Sequence, residues 1–356
     1  RNHHIGLEGY RCLWTLIENG KKMKQGELAL PSVAPGETGT MALPDVKINK
    51  QADVRLNVSI VLKEDALWAK AGHEILKEQF ALNDHLMAVA DGVQPGKRKN
   101  KFSVLDLWKD SYFQAFRAPT DNDKSFGNWL AKDWKNQRLD APQVEVITPE
   151  TETQETNGTV SRKSVVKYRY AKGSIRVSSH YKIYVDGTVD LEQTYLPQGE
   201  LPELPRLGSA FVLGEEYENL SWYGRGPWEN YPDRKTSCLI GRWNSKVSQY
   251  THYPRPQDSG NHEDVTEVTL TNKEGKGIRV TAIDRPFSFS ALYYTVDDIY
   301  KATHDCDLKP RKEIILSLDA AVLGLGNSSC GPGVLKKYAI DKQKPHTLRV
   351  RFSLIK

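Results

Sequence analysis

No hydrophobic run in this sequence approaches the roughly 20 residues that a membrane-spanning helix needs, and hydrophobic residues make up only 38% of it. An excess of one charge is also missing. The 50 basic and 45 acidic residues leave a formal +5, so the surface is mixed in sign rather than a cationic face for nucleic acid. The densest basic run, Gly96 to Lys101, reads as a solvated loop. Cysteine is scarce: Cys12, Cys238, Cys306 and Cys330 stand far apart with no C-x-x-C pair. That argues against a zinc site or a disulfide scaffold and leaves four ordinary buried thiols as the expectation. No apolar leader follows Arg1-Asn-His-His4, and so abrupt a start suits a fragment, so the start does not give the compartment: a soluble chain is expected, cytoplasmic or periplasmic.

Helical periodicity is equally rare, confined to Ser125–Trp134 and Val296–Ala302. What fills the chain is alternation. Tyr10 to Ile17 runs with period two into Asn19-Gly20, a strong hairpin signal. Val54, Leu56, Val58 and Ile60 then share one face of a half-buried strand. About seven strands of this kind predict a small β-sandwich of immunoglobulin type over residues 1–83. Mixed composition with Asp91-Gly92 and Pro95-Gly96 marks the boundary. Alternation returns at Val144–Ile147, Ser164–Tyr170, Ile175–Val185, Val189–Tyr195 and Thr347–Leu354. Strands without a βαβ rhythm predict a large two-sheet sandwich over residues 84–356. The fold class is all-β.

Chemistry-bearing residues concentrate in Trp222-Tyr-Gly-Arg-Gly-Pro-Trp-Glu-Asn-Tyr-Pro-Asp-Arg-Lys-Thr-Ser237. Its glycines and prolines fix a tight path, its aromatic faces suit the C–H surface of a sugar ring, and Arg225 and Arg234 offer planar forks to Glu229, Asp233 or a hydroxyl. The same residues also suit a self-satisfied structural loop. His252, His262, Glu263, Asp264 and His304 supply proton donors and acceptors of the kind sugar ring opening requires. Ordinary polar roles are the simpler account of them. Gln257 to Asp264 lacks the spacing of a calcium loop.

The Trp222–Ser237 segment resembles the signature of the last domain of family 2 β-galactosidases. Phe116-Arg-Ala-Pro-Thr-Asp-Asn-Asp123, Pro286 to Ser290 with Thr303-His-Asp305, and Leu323-Gly-Leu-Gly-Asn-Ser-Ser-Cys-Gly-Pro332 are similar to further family motifs in the family's order. Asp65 to Glu74 extends the likeness upstream. The resemblance implies an immunoglobulin-like domain followed by a galactose-mutarotase-like supersandwich. It also implies a parent enzyme that hydrolyses terminal β-galactosides with retention, through two glutamates on a (β/α)8 barrel that this chain does not encode.

By the same resemblance, the sugar-pocket candidates are Asp121, Asn122, Lys124, Ser125 and Asn128 in one loop and Asn327, Ser328, Cys330 and Gly331 in another. Where some members present a tryptophan to the substrate, this sequence has Gly331. Gly224, Arg225, Gly226, Pro227, Glu229, Asn230, Tyr231, Asp233 and Arg234 belong to the signature and are expected to be structural. No catalytic or metal-binding residue is expected in this chain, and any divalent or monovalent metal ion the parent uses is expected to be bound mainly by the barrel. Expected partners are the galactoside, the rest of the parent and further copies of it. A carbohydrate-binding module and an aldose epimerase of mutarotase type are the competing readings. Neither nucleic acid nor a membrane is expected.

Overall fold

A computed structural model describes residues 4–85, 103–124, 130–156 and 158–356. The chain divides into two compact units, Arg1–Met87 and Ala88–Lys356. The basic run at 96–101 lies outside the described residues, as do Ser125 and Asn128.

In the first unit, β1 (Tyr10–Glu18), β2 (Lys21–Leu28), β3 (Val54–Leu62) and β4 (Glu74–Asn83) form an antiparallel sheet in the order β2-β1-β3-β4. Asn19 and Gly20 both take positive φ, 48° and 77°, as a tight hairpin turn demands. Four strands are described where about seven were expected. Residues 29–53, which carry Pro31, Pro35 and Pro44, form no strand; a proline cannot donate to a ladder. That segment still covers the sheet. Leu30 and Met41 pack on Cys12, Leu56 and Val58, while Val46 joins Leu16, Ala52 and Val54.

The second unit stacks two antiparallel sheets. The larger runs β12 (Leu239–Lys246), β11 (Asn219–Gly226), β14 (Glu267–Thr271), β15 (Gly277–Ala282), β18 (His346–Ile355), β9 (Val189–Gly199), β8 (Gly173–Ile183), β7 (Val160–Arg169) and β6 (Gln143–Gln154). The smaller runs β13 (His262–Val265), β16 (Phe287–Leu292), β17 (Glu313–Val322), β10 (Arg206–Gly214) and β5 (Trp108–Gln114). Aromatic side chains close the space between them: Trp108, Phe211 and Phe352 form a triangle with centroids 5.1, 4.9 and 5.0 Å apart. Each such ring buries a large apolar area in a preferred tilted or edge geometry. The interior strand β10 is buried almost throughout, whereas the edge strand β6 is almost wholly exposed.

Helix is confined to short pieces: α1 (Asp121–Lys124), α2 (Leu130–Gln137) and α3 (Val296–Lys301). The helix expected over Ser125–Trp134 is described from Leu130 and runs on to Gln137, with Trp134 buried at mid-helix, while residues 125–129 lie outside the described residues. None of the described helices is long and apolar enough to cross a membrane. All four cysteines are free thiols, but only Cys12 and Cys238 are buried. Cys306 and Cys330 are exposed, correcting the expectation for those two; both stand in short polar turns between strands.

Candidate functional site

One buried ion pair organises the first candidate loop. Arg117, just beyond β5, has its side chain 1% exposed and grips Asp123, at 0%, through Nε and Nη2 at 3.1 and 2.8 Å. It also donates to the carbonyls of Leu323 and Gly324 at 2.9 and 3.2 Å. Asp123 Oδ2, which takes the Nε bond, also accepts the Thr120 N–H and hydroxyl at 2.8 and 2.9 Å, which fixes the entry into α1. A charge removed from water needs this degree of pairing. Trp134 of α2 lies under the guanidinium, 5.5 Å from ring centroid to Cζ.

The same cluster brings the second loop alongside the first. Asn122 donates to the Gly326 carbonyl at 2.8 Å, and its Oδ1 accepts both the N–H and the hydroxyl of Ser329, at 2.9 and 2.6 Å. Asn122 thus ties α1 to the glycine-rich turn. Around them Asp121, Asn327, Cys330 and Gly331 are exposed, Lys124 is half-buried, and Ser328 is buried. Burial, then repulsion from Arg255, holds Lys124 below the ordinary lysine value. Gln257 reaches over Asp121, accepting its N–H at 3.1 Å and donating to its carboxylate at 3.3 Å.

The signature segment braces this pair of loops from behind. Asp233 accepts the N–H groups of Leu325 and Gly326 at 2.9 and 2.7 Å. Gly324 leaves room for that carboxylate, since a Cβ there would lie 2.7 Å from Asp233 Oδ2, and Gly326 sits at φ +64°. Glu229 accepts from the Tyr253 hydroxyl and, at 2.8 Å, from the Gly260 N–H. Tyr231 donates to Asp258 at 2.9 Å, and Asn230 exchanges bonds with Asn261 and Glu263. Arg225 binds Asp264 at 2.5 Å and the carbonyls of Lys235 and Cys238 at 3.2 and 2.8 Å. Burial alone would raise Asp264, but Lys235 and Arg225 outweigh it and hold it below the usual carboxylate range. Gly224 and Gly226 admit Val265 and the Trp243 ring close to the backbone, and the Gly226–Pro227 peptide is cis. Arg234 is exposed.

The histidines and carboxylates that could have formed a proton-transfer set have separate partners. His252 faces Asp305 at 3.3 Å, His304 faces Asp307 at 3.7 Å, and His262 Nδ1 donates to the Arg225 carbonyl at 3.3 Å. Burial raises Glu263, partly offset by Lys235, Asn261 and Ser288. Among the described residues, no group of three or more His, Cys, Asp or Glu side chains is placed to hold a metal ion.

Residues 96–354 match the protein family described as "Beta galactosidase small chain". The chain belongs to that family. Residues 1–83 match a second description, "Beta-galactosidase, domain 4". Among similar curated small-chain relatives, the β-galactosidase of Priestia megaterium is 27% identical over 92% of this chain and 34% of its own length. The β-galactosidase of Kluyveromyces lactis is 29% identical over 86% of this chain and 33% of its own length. The small-chain sequence therefore spans about a third of the length of such relatives. Its fold is also similar to a galactose mutarotase-like protein from Clostridium acetobutylicum, with TM-score 0.37 and 7% identity over 87% of this chain and 97% of that one.

Two contributors to this small-chain site escaped sequence reasoning. Ser329 lay inside the expected turn, but nothing marked it as the partner of Asn122. Gln257 opens a segment polar enough for a ligand-facing loop, but nothing in it pointed to Asp121, 136 positions away. Arg117 had one, an arginine six positions before an aspartate, but that spacing alone does not announce a buried pair.

Proposed function

We propose that this chain is the C-terminal part of a retaining β-galactosidase and that α1 and the Asn327–Gly331 turn form one wall of its sugar pocket. The two carboxyl groups that cut the glycosidic bond, roughly 5 Å apart in a retaining enzyme, stand on a (β/α)8 barrel outside residues 1–356. The observation that carries the reading is the bonding of Asn122 to Gly326 and Ser329, which joins the two loops into one rim. Asn327, exposed on that rim, offers its side-chain amide to sugar hydroxyls.

In this role the chain positions the substrate and performs no proton transfer. Contacts that hold the sugar ring equally in the bound and transition states lower KM without any reacting group of their own. With no tryptophan at Gly331, the wall grips by hydrogen bonds rather than by ring stacking. Any metal ion the parent uses is bound elsewhere. Assay of residues 1–356 alone on nitrophenyl β-galactoside tests the division of labour: the expected result is no turnover. Robust hydrolysis abolished by one substitution within these residues would refute it.

A further inference from the structure

A cavity of about 160 Å³ opens in the second unit where β11, β13, β16, the Pro227–Glu229 segment and the turn after β12 meet. It shares no lining residue with the Asn122–Ser329 rim. Its volume is close to the roughly 150 Å³ of a pocket that holds one benzene, which is room for a single six-membered ring. The floor is a stack of aromatic rings. His262 lies 4.3 Å from the Trp222 centroid and 5.2 Å from that of Phe289, and all three line the cavity. Nδ1 of His262 meets the Arg225 carbonyl, which can only accept, so this nitrogen carries the proton and Nε2 of the neutral ring presents a lone pair. Burial keeps the ring neutral by pushing it down to about 4. Nε2 makes no hydrogen bond to the described residues, yet the sealed, unpartnered side-chain atoms among them belong to Gln114, Tyr170 and Tyr250 alone. The lone pair is therefore accessible from the cavity, on a residue only 8% exposed.

The surrounding chemistry narrows the ligand. The charges on the wall are met within the protein: Lys246 pairs with Glu218 at 3.3 Å, and Glu229 accepts from the Tyr253 hydroxyl and the Gly260 N–H. A neutral ligand fits best. Gln249 spends its side-chain carbonyl on the Lys246 N–H and the Ser245 hydroxyl, at 3.2 and 3.4 Å, which leaves its amide N–H groups to donate; exposed Thr251 adds a hydroxyl. Trp228, 67% exposed, holds an indole face at the mouth. The ligand must thus donate to one deep acceptor, accept at the wall and lay an apolar face on an aromatic ring. A pyranose does all three, since each hydroxyl both donates and accepts and the ring C–H groups form an apolar face. A phenol would satisfy Nε2 and the rings but leave Gln249 and Thr251 unused.

We infer that this cavity is an accessory monosaccharide site, in which one hydroxyl of a neutral pyranose donates to Nε2 of His262, others meet Gln249 and Thr251, and the C–H face of the ring lies on Trp228. The site does not depend on the pocket wall described above and binds sugar in the chain alone, without hydrolysis.

Calorimetric titration of the chain with galactose, glucose and lactose tests it, with phenol as a control that has the ring and one donor but no other hydroxyl. At least one sugar should give saturable heat in the millimolar range, and phenol should bind more weakly. His262→Phe keeps a ring between Trp222 and Phe289, and the Arg225 carbonyl retains the Trp222 indole N–H at 2.9 Å, so the fold is kept. It should weaken that sugar about tenfold, the equivalent of one lost hydrogen bond. Trp228→Ala removes an exposed side chain, should leave the unfolding temperature unchanged, and should also weaken the sugar about tenfold through lost apolar contact. No saturable heat with any sugar up to about 100 mM, or an affinity that either variant leaves unchanged, overturns the site. So does phenol binding more tightly than every sugar. The hydrolase reading is judged separately, by activity.

Discussion

Asn122 and Ser329 are separated by 207 positions, yet a single side-chain oxygen of Asn122 accepts both the N–H and the hydroxyl of Ser329, at 2.9 and 2.6 Å. This contact makes two loops of the small chain behave as one rim. Asn122→Ala leaves the Ser329 N–H and the Gly326 carbonyl without their partner, at about 1–3 kcal/mol. Hydrogen exchange should show faster exchange at Gly326–Ser329 while the β10 and β17 amides keep their protection. Equal loss of protection across the sandwich would contradict the local role.

The Arg117–Asp123 pair is the firmest point beneath that rim. Removing one partner strands a buried charge, so Asp123→Asn should destabilise the second unit by about 3–5 kcal/mol. Denaturant unfolding measures this. A loss below ~1 kcal/mol, the range of exposed pairs, would show that the pair is reached by water.

Gly324 is small because Asp233 needs the space. In Gly324→Ala the new Cβ displaces a carboxylate already held by Leu325 and Gly326, and such overpacking costs about 1–3 kcal/mol. Adding Asp233→Ser should recover part of the loss, giving an interaction energy of at least ~0.5 kcal/mol. Strict additivity of the two changes would contradict the steric account.

His262 makes the fold sensitive to acid. Packed 4.3 Å from the Trp222 ring and 5.2 Å from Phe289, it is pushed by burial from 6.5 down to about 4, partly opposed by its bond to the Arg225 carbonyl. The unfolded chain takes up a proton near pH 6.5, while the folded chain resists until about pH 4. Stability therefore falls as pH drops through that window, by roughly 3 kcal/mol at most. His262→Phe should flatten this part of the stability curve. An unchanged slope would place the acid sensitivity elsewhere.

Much of this was legible in the residues. Period-two alternation located β1, β3, β8, β9 and β18, because each has one face in a core and the other toward solvent. The signature segment was visible as a cluster, but its bonding was not. Asp233 reaches Gly326 across 93 positions and Arg225 reaches Asp264 across 39, and no local pattern encodes which distant backbone an acid or an arginine will meet. Fewer strands than the expected seven form in residues 1–83, and residues 29–53, which add none, carry three prolines that cannot donate to a ladder.

The most direct measurement is steady-state kinetics of the full-length enzyme carrying Asn122→Ala. If the Asn122 rim is a wall of the sugar pocket, KM for nitrophenyl β-galactoside should rise about tenfold while kcat stays within about twofold, the pattern of lost uniform binding. Unchanged kcat and KM, in a variant whose unfolding midpoint has nonetheless dropped, would show that the rim only holds the sandwich together.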